Sequence, residues 1–334
     1  MTGIDALARI VRESRGLAHK ADIAPVMRRL GIGASDPVAV GDDAAVIPDG
    51  DSHLLLAIEG FVEDFVTADP WFAGYCGVMV NVSDILAMGG RPIAVVDALW
   101  SEGETAAAPL LAGMREAARR YGVPVVGGHS NLRASGEQLA VAILGRADHP
   151  VTSFGAEPGD VVLVATDLRG RFRDPFPWWD ASTDAPEARL RAGMAILPEL
   201  AEADLLTAAK DISMAGVVGT AIMLAEASGV GMRIDIERLP VPAHVPMKRW
   251  LTAFPSFGFV MTARPADAPR VIARFAAAGV ACAEVGRASA DEAVTIEQGG
   301  DSALVWHRAA PLIGCHAPVE KACLLYTSPS PRDS

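Results

Sequence analysis

The sequence predicts an α+β protein of two domains, and three observations carry that expectation. The chain has 334 residues, 51% of them hydrophobic, enough for an ordinary core in each of two domains. Runs with strand and helix periodicity are mixed through both halves in similar proportion. Between the halves RADHPVTSFGAEPGD, residues 146–160, carries Pro150, Gly155, Pro158 and Gly159 and reads as a linker. The expected boundaries are 1–150 for an N-terminal domain and 151–318 for a C-terminal one.

Residues 4–30 have the apolar spacing of one or two amphipathic helices, followed by the Gly-rich GIGASDP. VAVGDDAAVI (38–47) and HLLLAIEGF (53–61) read as strands. Residues 69–90 have helix length, and Pro70 suits a first turn, where its missing N–H costs nothing. A strand at 92–100, a helix at 105–122 ending on Gly122, a buried strand at 123–130 and a strand at 137–145 complete the first half. In the second half 161–167 is a strand, 185–209, 214–228 and 266–278 are helical, and strands fall around 231–236, 257–263, 281–287, 293–297 and 303–306. The end, 319–334, changes character: its last seven residues are Ser, Pro, Arg and Asp only, with no face to bury. It resembles a translated sequencing-adaptor tail and is expected to be disordered and non-native.

No run approaches the roughly 18 apolar residues of a membrane span, and the first residues lack the apolar core of a signal peptide. A cytoplasmic protein without membrane contact is expected. Cys76, Cys282, Cys315 and Cys323 show no C-x-x-C or paired Cys/His spacing, which argues against zinc and against a disulfide framework. An acidic chain with no basic stripe is a poor nucleic-acid binder.

The formal charge of −12 arises within residues 30–114, which hold thirteen acids against the single base Arg91. At an effective dielectric near 20, two carboxylates about 5 Å apart repel by roughly 3 kcal/mol, so the region calls for a counter-charge. GDDAAVIPDG (41–50) and NVSDILAMGG (81–90) pair carboxylates with small residues, which points to a divalent cation. Asp42 and Asp43, if on a strand, face opposite sides; adjacent acids in a loop are more often simply solvated. Asp84 is a different case, because with Ser83 it lies in a helix otherwise lined by Val, Met, Ile, Leu and Ala. An isolated carboxylate is costly there unless it meets a cation or a donor.

Two further segments carry candidates. His129 follows a strand and two glycines, Gly127 and Gly128, which let backbone N–H groups approach a phosphate but are also ordinary turn residues. The imidazole is read as a phosphate donor, a general base or a satisfied core residue. In ATDLRGRFRDPFPWWD (165–180), Arg169, Arg171 and Arg173 share one face if the strand continues, forming a strip for carboxylate or phosphate. The PFPWW that follows reads as an aromatic lid over an anionic or planar substrate, or as a hairpin packed on the core.

GDDAAVI, AIEGF, VNVSDILAMGGRP, GGHSN, EPGDVVLV, KDISMAGVVGTAIMLAEASGVG and AEVGRA follow one another in an order that resembles the AIR synthase-like superfamily. That superfamily includes aminoimidazole ribonucleotide synthetase, thiamine-monophosphate kinase and selenophosphate synthetase, and the match runs over roughly residues 38–310. It looks closest to an uncharacterised AIR-synthase-related branch. The resemblance implies an N-terminal domain whose strands form a barrel across a homodimer, a C-terminal α+β domain, and ATP in the cleft with its phosphates bridged to carboxylates by Mg²⁺. It further implies metal ligation by Asp42, Asp43 and Asp84, and nucleotide contacts from these with Asn81, Gly127 and Gly128. Catalytic roles fall to His129, Asp211 and Glu59, the last standing where relatives usually have Asp. His129 and Met214 occupy positions where the thiamine-monophosphate kinase pattern has acids, and Lys20 sits in a plain helical context. The expected activity is ATP- and Mg²⁺-dependent phosphoryl transfer to an oxygen of a small molecule, kinase-like or ligase-like, with Arg169, Arg171 and Arg173 binding an anionic substrate. Two other classes stay open: a non-catalytic nucleotide-binding partner protein, and a metal-dependent hydrolase that uses no nucleotide.

Overall fold

A computed structural model describes residues 3–32 and 39–315, so the expected tail at 319–334 lies outside the described residues. Three helices come first: α1 (Gly3–Arg12), α2 (Arg15–Lys20) and α3 (Ile23–Leu30). Ile4, Ala8 and Val11 recur at helical spacing on α1, and they pack into the C-terminal core beside Val294, Ile296 and Val305. The Ser14 hydroxyl caps α2 by accepting the Leu17 N–H at 3.2 Å.

The first half then runs β1 (Ala45–Asp49), β2 (Ser52–Phe61), α4 (Glu63–Ala68), α5 (Pro70–Ala87), β3 (Arg91–Trp100), α6 (Glu104–Tyr121), β4 (Val125–Asn131) and β5 (Gln138–Ala147). The strands form one sheet in the order β1-β2-β5-β3-β4, antiparallel except for β3 with β4, which α6 joins by a crossover. Pro70 opens α5, as its fixed φ allows, and the Asp69 carboxylate caps it by accepting the Phe72 N–H. From Phe72 onward every residue of α5 is buried, between the sheet and α6. The helices cross closely: a Cβ on Gly113 would lie 1.8 Å from the Trp71 carbonyl oxygen.

Leu55, Val95, Val141 and Ile143 point from the sheet into this core. Leu56, Ile58, Val96 and Val126 remain exposed on the chain, Ile58 at 69% and Val126 at 64%. The sheet does not close into a barrel within one chain, and β1 and β4 are its edges. The strand expected to be buried at 123–130 is instead exposed along β4, the edge of the sheet, beyond which no further strand pairs among the described residues.

The second half comprises β6 (Val161–Thr166), β7 (Arg171–Phe172), β8 (Trp178–Asp180), α7 (Glu187–Met194), α8 (Ile196–Glu202), β9 (Ala208–Asp211), α9 (Gly216–Ser228), β10 (Gly231–Asp235), α10 (Met247–Trp250), β11 (Phe254–Pro255), β12 (Gly258–Ala263), α11 (Ala268–Ala277), β13 (Ala281–Ser289), β14 (Ala293–Gln298) and β15 (Asp301–His307). A seven-stranded sheet has the order β15-β14-β10-β13-β6-β12-β9, and β11-β8-β7 form a small sheet beside it. One apolar cluster runs from α5 through α8 to β6, β12 and α11, so the two halves share a core. No helix among the described residues is long and apolar enough to cross a membrane.

Three local expectations are corrected. The strand at 38–47 begins only at Ala45, because Gly41 has φ +114° and the Asp42 carboxylate accepts the Asp43 N–H, making a bend. The helix at 185–209 divides into α7 and α8, since Pro198 has no N–H to continue the first, and residues 208–211 become a strand. The strand expected to carry three arginines on one face stops at Thr166, where the Asp167 carboxylate accepts the Arg169 N–H at 3.0 Å and turns the chain.

Candidate active site

A cavity of about 540 Å³ opens between the loop before β1, strand β2, helix α5 and the end of β9. Asp42, Asp43, Glu59, Asp84 and Asp211 line one side of it, together with Lys20 and Lys210; Phe61, Phe65, Phe72, Trp178 and Phe254 contribute to the rest. The acids arrive from separate elements. Asp84 is carried by the buried helix α5, Glu59 lies on the inner face of β2, and Asp211 ends β9.

Ligand atoms of Asp43, Asp84 and Asp211 all lie within 4.8 Å of one another. Two like charges at that spacing oppose each other by about 3 kcal/mol at an effective dielectric of 20, before any cost of desolvation. Asp84 is 4% exposed, and its Oδ2 has no hydrogen-bond partner among the described residues. Burial, reinforced by Asp211, Glu59 and Asp43, pushes the Asp84 carboxyl well above its ordinary range. Asp211 is raised likewise, by burial and then by Asp43. Glu59 is raised by burial, against the pull of Lys20. An oxygen-only donor set of this kind, with one buried oxygen unsatisfied, fits a hard divalent cation such as Mg²⁺.

Asp42 and Asp43 separate at the bend. Asp42 turns to Ser153, accepting its N–H and its hydroxyl at 2.9 Å each, and stands outside the three-carboxylate group. Burial raises it to about 6, against the pull of Lys210. Asp43 accepts from the Lys210 ammonium and, at 3.0 Å, from the Asp211 N–H. Burial disfavours charge on Lys210, but Asp43 and Asp42 outweigh it and raise its pKa.

The remaining candidates lie elsewhere. Asn81 is buried in α5, its Nδ2 donating to the carbonyl oxygens of Gly77 and Val141. Gly127, Gly128 and His129 are exposed on β4, with the imidazole 6.0 Å from the Trp100 ring, centroid to centroid. None of the three arginines lines the acidic cavity. Arg169 turns back to Asp167, Arg171 pairs with Asp184 at the surface, and Arg173 binds Asp69 and Asp180 with its guanidinium 4.1 Å above the Phe72 ring. The PFPWW segment is wall and core: Trp178 stacks on Phe176 at 4.0 Å and lies 3.8 Å from Phe65, while Trp179 packs on Trp250.

Two cations of the cavity were not assigned to the site from the sequence, Lys210 and Lys20, the latter read as lying in a plain helical context. Lys210 had a signal, a charged residue inside the apolar run AAKDI. Lys20 had none; α2 reaches the cavity because it abuts the second half so closely that a Cβ on Gly16 would lie 1.8 Å from the Met214 carbonyl oxygen.

Residues 41–147 match the family described as AIR synthase related protein, N-terminal domain, and 178–298 match its C-terminal domain. An uncharacterised protein of Synechocystis is 43% identical over 91% of this chain and 96% of its own length. The thiamine-monophosphate kinase of Pyrococcus horikoshii is 30% identical over 70% of this chain and 80% of its own. Among solved structures, T. maritima PurL complexed with ATP has the same fold, with a TM-score of 0.73 at 20% identity over 96% of this chain; the match spans 53% of the PurL chain. AaThiL complexed with AMPPCP and TMP superposes with a TM-score of 0.63 at 22% identity, over 84% of this chain and 94% of that one.

Proposed function

Because this chain belongs to the AIR synthase related family, we propose that it is an ATP- and Mg²⁺-dependent phosphoryl-transfer enzyme acting on an oxygen of a small molecule. The observation that carries the reading is the convergence of Asp43, Asp84 and Asp211 on the cavity, with Asp84 Oδ2 buried and unpartnered. Kinship with thiamine-monophosphate kinases supports the reaction class.

In this reading Asp43, Asp84 and Asp211 would hold Mg²⁺, which would supply neutralisation of phosphate charge. Lys20 and Lys210 add donors to phosphate oxygens. Glu59 takes the proton from the attacking oxygen, a role that a raised pKa favours by bringing it nearer the working pH. The aromatic wall of Phe65, Phe72 and Trp178 accepts a planar group by stacking. The protein acts in the cytoplasm as a homodimer in which two copies cover the exposed apolar face around Ile58 and Val126. His129, Gly127 and Gly128 then lie near the subunit boundary, and any contact they make with phosphate is made there.

Calorimetry with Mg²⁺ and a non-hydrolysable ATP analogue, followed by ADP release with candidate acceptors, tests the proposal. Saturable nucleotide binding is expected. Metal binding without any nucleotide affinity would turn the assignment toward a hydrolase, and nucleotide binding without turnover toward a non-catalytic partner protein.

A further inference from the structure

Lys210 is 5% exposed and sits at the end of β9, directly before Asp211. Its ammonium donates to Asp43 Oδ1 and lies 3.9 Å from Asp42 Oδ1. Asp42 already accepts three hydrogen bonds, one at Oδ2 from the Ser153 N–H and two at Oδ1 from the Ser153 hydroxyl and the Asp43 N–H. The acidic wall therefore divides. The Asp42–Asp43 pair already holds a cation of the chain's own, whereas the Asp43–Asp84–Asp211 group, which shares Asp43, carries on Asp84 a buried oxygen with no hydrogen-bond partner among the described residues.

We propose that Lys210 is a built-in cation standing in place of a second metal ion, so that the cavity takes one divalent cation, on Asp43, Asp84 and Asp211. The ion count follows from the residues alone; the further role of Lys210, toward a phosphate oxygen, rests on the phosphoryl-transfer reading.

The chemistry of the ammonium supports the assignment. It has three donors and no acceptor, so with one on Asp43 and one directed at Asp42 it keeps a third for an anionic oxygen. A second divalent ion would need oxygen ligands at about 2.1 Å from the same two carboxylates. The resident ammonium opposes that by its charge and occupies the space between them. A fixed charge on a buried stem also neutralises part of the acidic wall before any ion arrives, which lets this region fold without metal. Lys20 lines the same cavity and its charge acts on Glu59, Asp84 and Asp211, but among the described residues it forms no ion pair with Asp42 or Asp43 and so does not occupy the place between them.

The test is Mn²⁺ titration of the full chain without nucleotide, with free Mn²⁺ followed by electron paramagnetic resonance. Wild type and Lys210→Arg are expected to bind one ion per chain. Lys210→Met keeps the stem, loses the charge, frees the Asp42–Asp43 pair and is expected to bind two. Two ions on the wild type, or one ion on Lys210→Met with unchanged affinity, would overturn the proposal. Should Lys210→Met not fold, wild type and Lys210→Arg still decide, since two ions on either is the contrary result. A wild type that binds one ion but no ATP analogue leaves the ion count standing and removes the phosphoryl-transfer reading. No bound ion at all removes both.

Discussion

Asp43 Oδ2 accepts a hydrogen bond of 3.0 Å from the backbone N–H of Asp211, which fastens the loop before β1 to the end of β9. One carboxylate thereby belongs to both halves of the molecule: it ties their backbones together, pairs with Lys210 and belongs to the three-carboxylate group. The site exists only when the two halves are assembled.

Asp84→Asn tests the proposed metal site by thermal unfolding. A ligand that binds only the folded protein stabilises it by mass action, so Mg²⁺ with an ATP analogue should raise the Tm of the wild type. The variant should lose most of that rise. Its metal-free Tm should be higher than that of the wild type, because a buried carboxylate with one unpartnered oxygen is replaced by a neutral amide.

Asp180, which is not one of the proposed metal ligands, predicts an acid-dependent loss of stability. Burial alone would raise its pKa, but hydrogen bonds from Thr183 and Ser182 and the charge of Arg173 lower it overall. A depressed folded pKa means that the unfolded chain binds more protons in this range. The stabilisation is present above the ordinary value of 3.8 and is lost as pH falls through the lower folded value. Asp180→Asn should cost about 3 kcal/mol at pH 7 in denaturant titrations and flatten the acid limb of the stability profile.

The arginines separate by burial. Arg171 pairs with Asp184 where both side chains are exposed, so Arg171→Ala should change stability by less than about 0.5 kcal/mol. Arg173→Ala removes the guanidinium from the buried Asp180 carboxylate, which keeps its bonds from Ser182 and Thr183, and should cost roughly 1.5–3 kcal/mol. Neither substitution should weaken Mg²⁺-ATP binding measured by calorimetry; a tenfold loss in either would return the arginines to the nucleotide site.

The exposed sheet face predicts self-association. Ile58→Asp places a charge on the exposed apolar face that two copies would bury in the proposed dimer, and should shift sedimentation from dimer toward monomer at micromolar concentration. A wild type that sediments as a monomer would remove the dimer.

Much of the site was legible in the sequence because its strongest signal is local. A carboxylate inside VNVSDILA is costly at any depth in a core, and Asp84 is indeed buried on α5 with an oxygen unsatisfied. Order and type of most elements were equally local, since Pro70 opening α5 and Gly122 closing α6 act through their own backbone preferences. Tertiary structure alone decided the partners. Asp42 and Asp43 are neighbours in sequence, yet Ser153 captures one and Asp211 the other, which no alternation rule could divide. Three arginines spaced as a strip were taken singly by Asp167, Asp184 and Asp180, because a two-residue Asp167 turn ended the strand that would have aligned them. Lys20 reached the cavity from the far end of the chain through a helix contact close enough to require glycine. Spacing along a chain fixes which side chains share a face over a few residues; which charges meet across hundreds of residues is set by how the two sheets pack.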